Sequence, residues 1–419
     1  MAFSIFRFFV FSRVFFVAGF VLYSFIVLFF LLPLSMLVKA QCFIINDCNM
    51  ANESLSKAKE AKNDEFYTQY HDIEKEVNAY LEYNPDVFRG KTVLLPCDDP
   101  EWSNFTKYFA QNFERFGLKK LISTSYAPES KRYKFGYVPT LFETEAPHFD
   151  ADKSKTHGKI FVLDHDVTGD GKINVEDLEW QYLEGDGDFR SKEICKLRDQ
   201  ADIIITNPPF SLFREFLAWI MEADKQFLII GNMNALVYKE VFPLIQANKL
   251  WLGNGFQGGN AYFRVMSKGN YAAGVYDEQT GLVKFRNCCW LTNIDHGRRH
   301  QPLILMTMAD NLKFSRHKEL RGKDSYAHYD NYDAIEVPYT DAIPSDYEGV
   351  MGVPISFLDK YCPEQFEIMG IACGNSWANY KDILKSLNFN PNIKYGGGLG
   401  IGVINGKGVY ARILIRKKQ

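Results

Sequence analysis

The sequence lacks an excess of positive charge: 48 Lys and Arg face 51 Asp and Glu, for a formal net charge of −3. Whole-chain electrostatics therefore offer nothing to a polyanion, and any nucleic-acid contact has to come from basic groups concentrated locally. A cysteine framework is missing too. The eight cysteines (Cys42, Cys48, Cys97, Cys195, Cys288, Cys289, Cys362 and Cys373) form no CxxC pair and no metal-ligand spacing with histidine. Their scatter excludes a disulfide-stapled scaffold and fits free thiols in a reducing compartment. Internal repeats are absent. What remains is a 419-residue chain, 47% hydrophobic and 24% charged, which suits a globular protein of two domains plus an appendage.

The appendage is residues 1–49. Val14 to Val38 carry no charge, Arg7 and Arg13 precede them, and Lys39 follows. A run longer than about 20 apolar residues can span a bilayer, so a membrane anchor is the direct reading. The competing reading is a mis-assigned start, because Met50 opens a polar stretch typical of a soluble N-terminus. The second is preferred, and it implies a cytoplasmic protein.

Beyond this leader, Ile73, Val77, Tyr80 and Leu81 fall at helical spacing within 52–84, and Asn84-Pro85 ends that segment. Short apolar runs at 91–96, 121–125, 201–206 and 226–231 read as strands, with helices predicted at 103–116 and 212–223. This alternation predicts an α/β fold with a doubly wound, mostly parallel, Rossmann-like sheet. Residues 250–293 read as its last, antiparallel strands. A catalytic domain over 50–310 and a target-recognition region over 311–419 complete the expected organisation.

The strand at 201–206 runs into Asn207-Pro208-Pro209-Phe210, where ligands of such sheets gather. Consecutive prolines fix φ and supply no N–H, so acceptors dominate the turn. The Asn207 side-chain oxygen and the Pro208 carbonyl suit an aromatic exocyclic amine: accepting from both its N–H groups localises the nitrogen lone pair. Phe210 offers a face for the base that carries the amine. In isolation such a turn is more often a cap; between an apolar strand and a helix it reads as catalytic.

The motif fits the [DNS]-P-P-[FYW] signature of amino methyltransferases. Further segments, among them Asp64 to Tyr70, Cys97 to Pro100, Gly185 to Ser191, Ala201 to Glu215 and Trp290 to Asn293, resemble the EcoRI-type adenine-specific DNA methyltransferase family. The resemblance implies transfer of a methyl group from S-adenosylmethionine to adenine N6 in duplex DNA. It assigns catalysis to Asn207, Pro208, Pro209 and Phe210. Cofactor contacts fall to Phe66, Tyr67, Thr68, Cys97, Asp98 and Asp99, with Asp186 or Asp188 as partner of the cofactor's adenine amine. Cys97 to Pro100 replace the general Phe-x-Gly-x-Gly loop, and no acidic residue follows the second strand to hold the ribose. A cognate restriction endonuclease is a possible partner of a chain expected to be monomeric.

Asp166, Thr168, Asp170 and Asp177 match an EF-hand-like loop with Gly171 at its sixth position. A strand before it and a short Asp at its end favour a plain surface turn, so no metal is expected. Arg298, Arg299, Arg316 and Lys318 are the predicted phosphate contacts, each set against a solvated basic face. Two other functions compete: an RNA or protein-glutamine amino methyltransferase, and a membrane-anchored calcium-binding protein without catalysis.

Overall fold

Four short runs of Ile, Leu and Val make the centre of the main sheet: β1 (Thr92–Leu95), β2 (Lys120–Thr124), β5 (Ile203–Thr206) and β6 (Gln226–Asn232). They pair in parallel in the order β2-β1-β5-β6. Side chains alternate across the sheet, and both faces are apolar, as parallel sheets covered on both sides require. Leu94, Ile122, Ile204 and Ile229 face helices α3 (Lys192–Gln200) and α4 (Phe213–Glu222), through Ile194, Phe213, Phe216 and Ile220. Val93, Leu95, Ile203, Ile205 and Leu228 face helices α1 (Tyr70–Tyr83) and α2 (Asn104–Gln111), through Ile73, Val77, Phe105 and Phe109.

The computed structural model describes residues 66–98, 103–128, 141–256, 259–265, 271, 273–373, 385–393 and 400–418. The leader over 1–49 and Asp99 lie outside the described residues. Among those described, no helix is long and apolar enough to cross a membrane.

The sheet is antiparallel at both flanks, as expected for 250–293 but not for the opposite edge. β3 (Lys159–Leu163) and β4 (Glu179–Tyr182) flank β2, while β8 (Cys288–Thr292) and β7 (Trp251–Leu252) flank β6, all antiparallel. The complete order is β4-β3-β2-β1-β5-β6-β8-β7. Between β3 and β4 the chain forms only a 3-10 turn, Val175–Asp177, and without a crossover helix the strand returns antiparallel.

Two predicted helices are shorter than expected. The one over 52–84 begins, among described residues, at Tyr70, because Tyr67–Thr68 form a strand paired with Phe263 and Arg264. The one over 103–116 is divided at Asn112, whose side-chain amide donates to the Tyr108 carbonyl at 2.9 Å.

Tyr67–Thr68, Asn260–Arg264, Leu282–Arg286 and Tyr276–Asp277 form a small antiparallel sheet in that order. A third sheet is built from Ile335–Glu336, Met351–Pro354, Arg412–Lys417 and Phe366–Ala372. Its residues Ile335, Val353, Phe366 and Leu414 join the same apolar core as Leu94 and Ile204. Helix Met308–Phe314 runs across the boundary expected near 311.

Candidate active site

Asn207 is the first residue beyond β5, at the carboxyl end of the parallel strands. Its side-chain Nδ2 donates to the Phe66 carbonyl at 2.7 Å. Since a carbonyl only accepts, the nitrogen has to face Phe66 and the oxygen has to face away. That oxygen, Oδ1, is buried and has no hydrogen-bond partner. An unmet buried acceptor costs about 1–3 kcal/mol, so Oδ1 is a strong point of attachment for an incoming N–H. The Pro209 carbonyl already accepts from Leu212 N at 2.9 Å, which leaves the backbone acceptor role to Pro208.

Phe210 opens a 3-10 turn, Phe210–Leu212, that leads into α4. Its ring stacks on Phe66, with centroids 5.9 Å apart and planes at 23°. Phe263 and Phe285, from the small sheet, meet Phe210 edge-on at 6.2 and 5.9 Å. Neither was expected from the sequence. The alternation of Asn260–Arg264 and of Leu282–Arg286 is the signal that puts both on one sheet face.

Asp98 has a different setting from the one expected. It is 5% exposed, and its carboxylate accepts from Ser103 Oγ at 2.7 Å and from Thr206 Oγ1 at 2.5 Å. Its carbonyl accepts from Ser123 Oγ at 2.5 Å, and its N–H donates to the Thr124 carbonyl at 3.1 Å. Asp98 thus ties together the ends of β1, β2 and β5. Ser103 in turn caps α2 by accepting from Phe105 N at 3.1 Å. Cys97 beside it is half-buried.

The loop with Asp186 and Asp188 lies over the end of β2. Ala127 N donates to the Asp186 carbonyl at 2.7 Å. Gly187 has φ +82°, and a Cβ there would sit 2.2 Å from the Ser125 carbonyl oxygen, so only glycine fits. Asp188 is held by Arg190, with Nη2 at 2.6 Å and Nε at 2.9 Å. Asp186 accepts from Asp188 N at 3.1 Å. Of the two carboxylates, Asp186 is therefore the better placed for a ligand. The end of β2 is two strand spacings, roughly 10 Å, from the end of β5.

A family model described as adenine-specific methyltransferase EcoRI matches residues 54–418. The chain belongs to the EcoRI adenine-specific methyltransferase family. It is 41% identical to the type II methyltransferase M.EcoRI of Escherichia coli, over 88% of this chain and 98% of that protein. Identity is 32% to M.MpnI of Mycoplasma pneumoniae and 32% to M.MgeORF184P of Mycoplasma genitalium, each over 87% of this chain and 98% of the relative. No solved structure matches. Neither an RNA or glutamine methyltransferase nor a membrane-anchored calcium-binding protein finds support among these relatives.

Membership of the EcoRI family implies S-adenosylmethionine as methyl donor, and the residues beside Asn207 fit it. Thr68 Oγ1 is buried without a hydrogen-bond partner, and the Thr68 carbonyl is fixed by Asn104 Nδ2 at 2.7 Å. Phe66 supplies an apolar face beside the turn.

One predicted phosphate contact, Arg299, needs correcting. Arg299 is only 7% exposed, lies 3.7 Å from the Trp251 ring centroid, and donates to Asn248 Oδ1. Burial there keeps its guanidinium from DNA. Arg298 pairs with Asp359 at 2.5 Å and donates to the Asn254 carbonyl, so it clamps a loop. Arg316 and Lys318 are exposed, Arg316 with Asp341 at 2.9 Å.

In the EF-hand-like segment the carboxylates serve the backbone. Asp166 accepts from Gly169 N at 2.6 Å and Gly171 N at 2.8 Å. Asp177 accepts from Val167, Thr168 and Asn174 N–H groups at 2.9–3.0 Å, which hold its carboxyl below the usual range. Thr168 Oγ1 donates to Asp166, and Asp170 accepts from Lys172 N. This is the bonding of a surface turn.

Proposed function

We propose that this chain methylates N6 of an adenine extruded from duplex DNA, on a Rossmann-like, doubly wound catalytic domain over 50–310. Residues 311–419 act as the target-recognition region. The chain works as a cytoplasmic monomer, either beside a cognate endonuclease in a restriction-modification system or alone. The observation that carries this reading is the buried Asn207 Oδ1 with no partner, aimed away from Phe66.

Bound S-adenosylmethionine supplies an electrophilic methyl group on a sulfonium, which needs no further activation. The protein's work is on the nucleophile. Asn207 Oδ1 and the Pro208 carbonyl accept from the two N–H groups of the adenine amine, drawing the nitrogen towards tetrahedral geometry and localising its lone pair. Acceptors held by a proline-fixed turn need little reorganisation during the reaction. Phe210 stacks on the extruded base. Phe66 and Thr68 pack on the cofactor, and Asp186 accepts from its adenine amine.

Incubating the full chain with methyl-labelled S-adenosylmethionine and duplex DNA, then digesting to nucleosides, tests this directly. Label in N6-methyladenine is expected. Label in N4-methylcytosine, or in RNA as readily as in DNA, overturns it.

A further inference from the structure

We infer that the solvent face of the small sheet is a contact surface for the phosphate backbone of duplex DNA. The inference rests on the reading of the chain as a DNA enzyme and adds a surface to it. In register, Tyr67, Arg264, Leu282 and Asp277 lie side by side, followed by Tyr262 opposite Lys284 and Asn260 opposite Arg286. Alternation puts all of these on one face and Thr68, Ala261, Phe263, Val283 and Phe285 on the other. Burial agrees with the division: Thr68, Ala261, Phe263 and Val283 are buried, whereas Arg264, Tyr262 and Arg286 are exposed. Among the described residues of these four strands, three cations therefore share that face with one carboxylate, that of Asp277.

The cations form a row. Arg264 and Lys284 are diagonal neighbours, about 7–8 Å apart. Arg286 is two residues beyond Lys284, about 7 Å further on. Tyr262 lies within the row, 43% exposed, with the Lys284 ammonium 5.6 Å from its ring centroid. The Asp277 carboxylate is occupied at the sheet's edge, accepting from Thr280 Oγ1 at 2.8 Å and Gln279 N at 2.9 Å.

Lysine and arginine often guard the edge strands of a sheet against mispairing. That explanation does not apply here, because Asn260–Arg264 and Leu282–Arg286 are the two inner strands. The opposite face of these same strands brings Phe263 and Phe285 against Phe210. A duplex that delivers a base to Phe210 thus passes a sheet whose outer side carries positive charge. Phosphate is the partner that fits a row of cations with an exposed tyrosine between them.

The test is the salt dependence of binding to a random-sequence duplex, for the full chain with Arg264→Gln, Lys284→Gln and both together. Each lost phosphate contact should lower the slope of log affinity against log salt by about 0.9. Arg264→Lys, which keeps the charge, should retain the wild-type slope. S-adenosylmethionine affinity, measured by calorimetry on each variant, verifies the fold. Wild-type slopes in the folded double variant overturn the surface, as does an Arg264→Lys slope as low as that of Arg264→Gln. A wild-type chain that binds no duplex at any salt overturns instead the reading of this chain as a DNA enzyme.

Discussion

The Asn207 amide nitrogen donates to the Phe66 carbonyl at 2.7 Å, and this one bond decides which way the catalytic amide faces. A carboxylate at that position has no proton to give. In Asn207→Asp at neutral pH, two acceptors would oppose each other, and the loss of a buried hydrogen bond costs about 1–3 kcal/mol. Turnover should fall by about tenfold or more. Protonation restores the donor, so the activity of Asn207→Asp relative to wild type should climb as pH falls from 8 towards 5. A pH–rate profile parallel to that of wild type would contradict this role for Phe66.

The bond between Asp98 and Thr206 yields a second prediction. Thr206 precedes Asn207, and its hydroxyl donates to a carboxylate that is itself buried. Thr206→Val keeps the shape of the side chain and removes the donor. Stability should drop by about 1–3 kcal/mol in chemical denaturation, because a buried acceptor loses its partner. Turnover should fall with it, and Thr206→Ser should restore both. Wild-type stability in the valine variant would show that Asp98 does not pin the end of β5.

Glu76, on α1, gives a pH dependence. It is 1% exposed and accepts from Asn254 N at 2.7 Å, Gly255 N at 2.9 Å and Tyr80 Oη at 2.9 Å. Burial pushes its carboxyl up to about 7 from the usual 4.5, against the pull of these donors and of Arg298. The folded chain therefore holds this proton more tightly than the unfolded chain. The resulting stabilisation is complete below about 4.5 and is lost as pH rises through about 7, and it amounts to about 3 kcal/mol. Glu76→Gln should remove that slope from a series of denaturation curves between pH 4.5 and 8. An unchanged slope would assign the proton elsewhere.

The sequence exposed the centre of this molecule better than its margins. Strands at Thr92–Leu95 and Ile203–Thr206 were legible because apolar runs between turn residues leave little choice. Tyr67–Thr68 was read as helix because its strand partners, Phe263 and Arg264, are nearly two hundred residues away. Antiparallel strands were read over 250–293, but the antiparallel pairing of β3 and β4 depends on a connection without a helix, and periodicity does not report that. Asn207 could be singled out because strand, prolines and helix all point to one turn. The reach of Arg299 was misjudged because charge alone does not reveal that Trp251 and Asn248 enclose it.

The central claim is that the free oxygen of Asn207 activates the adenine amine. Its most direct test is single-turnover methylation of duplex DNA by wild type and Asn207→Ala, with S-adenosylmethionine affinity measured on both proteins. The account predicts near-complete loss of N6-methyladenine formation in the variant, with cofactor affinity preserved. Methylation at the wild-type rate by Asn207→Ala would contradict it.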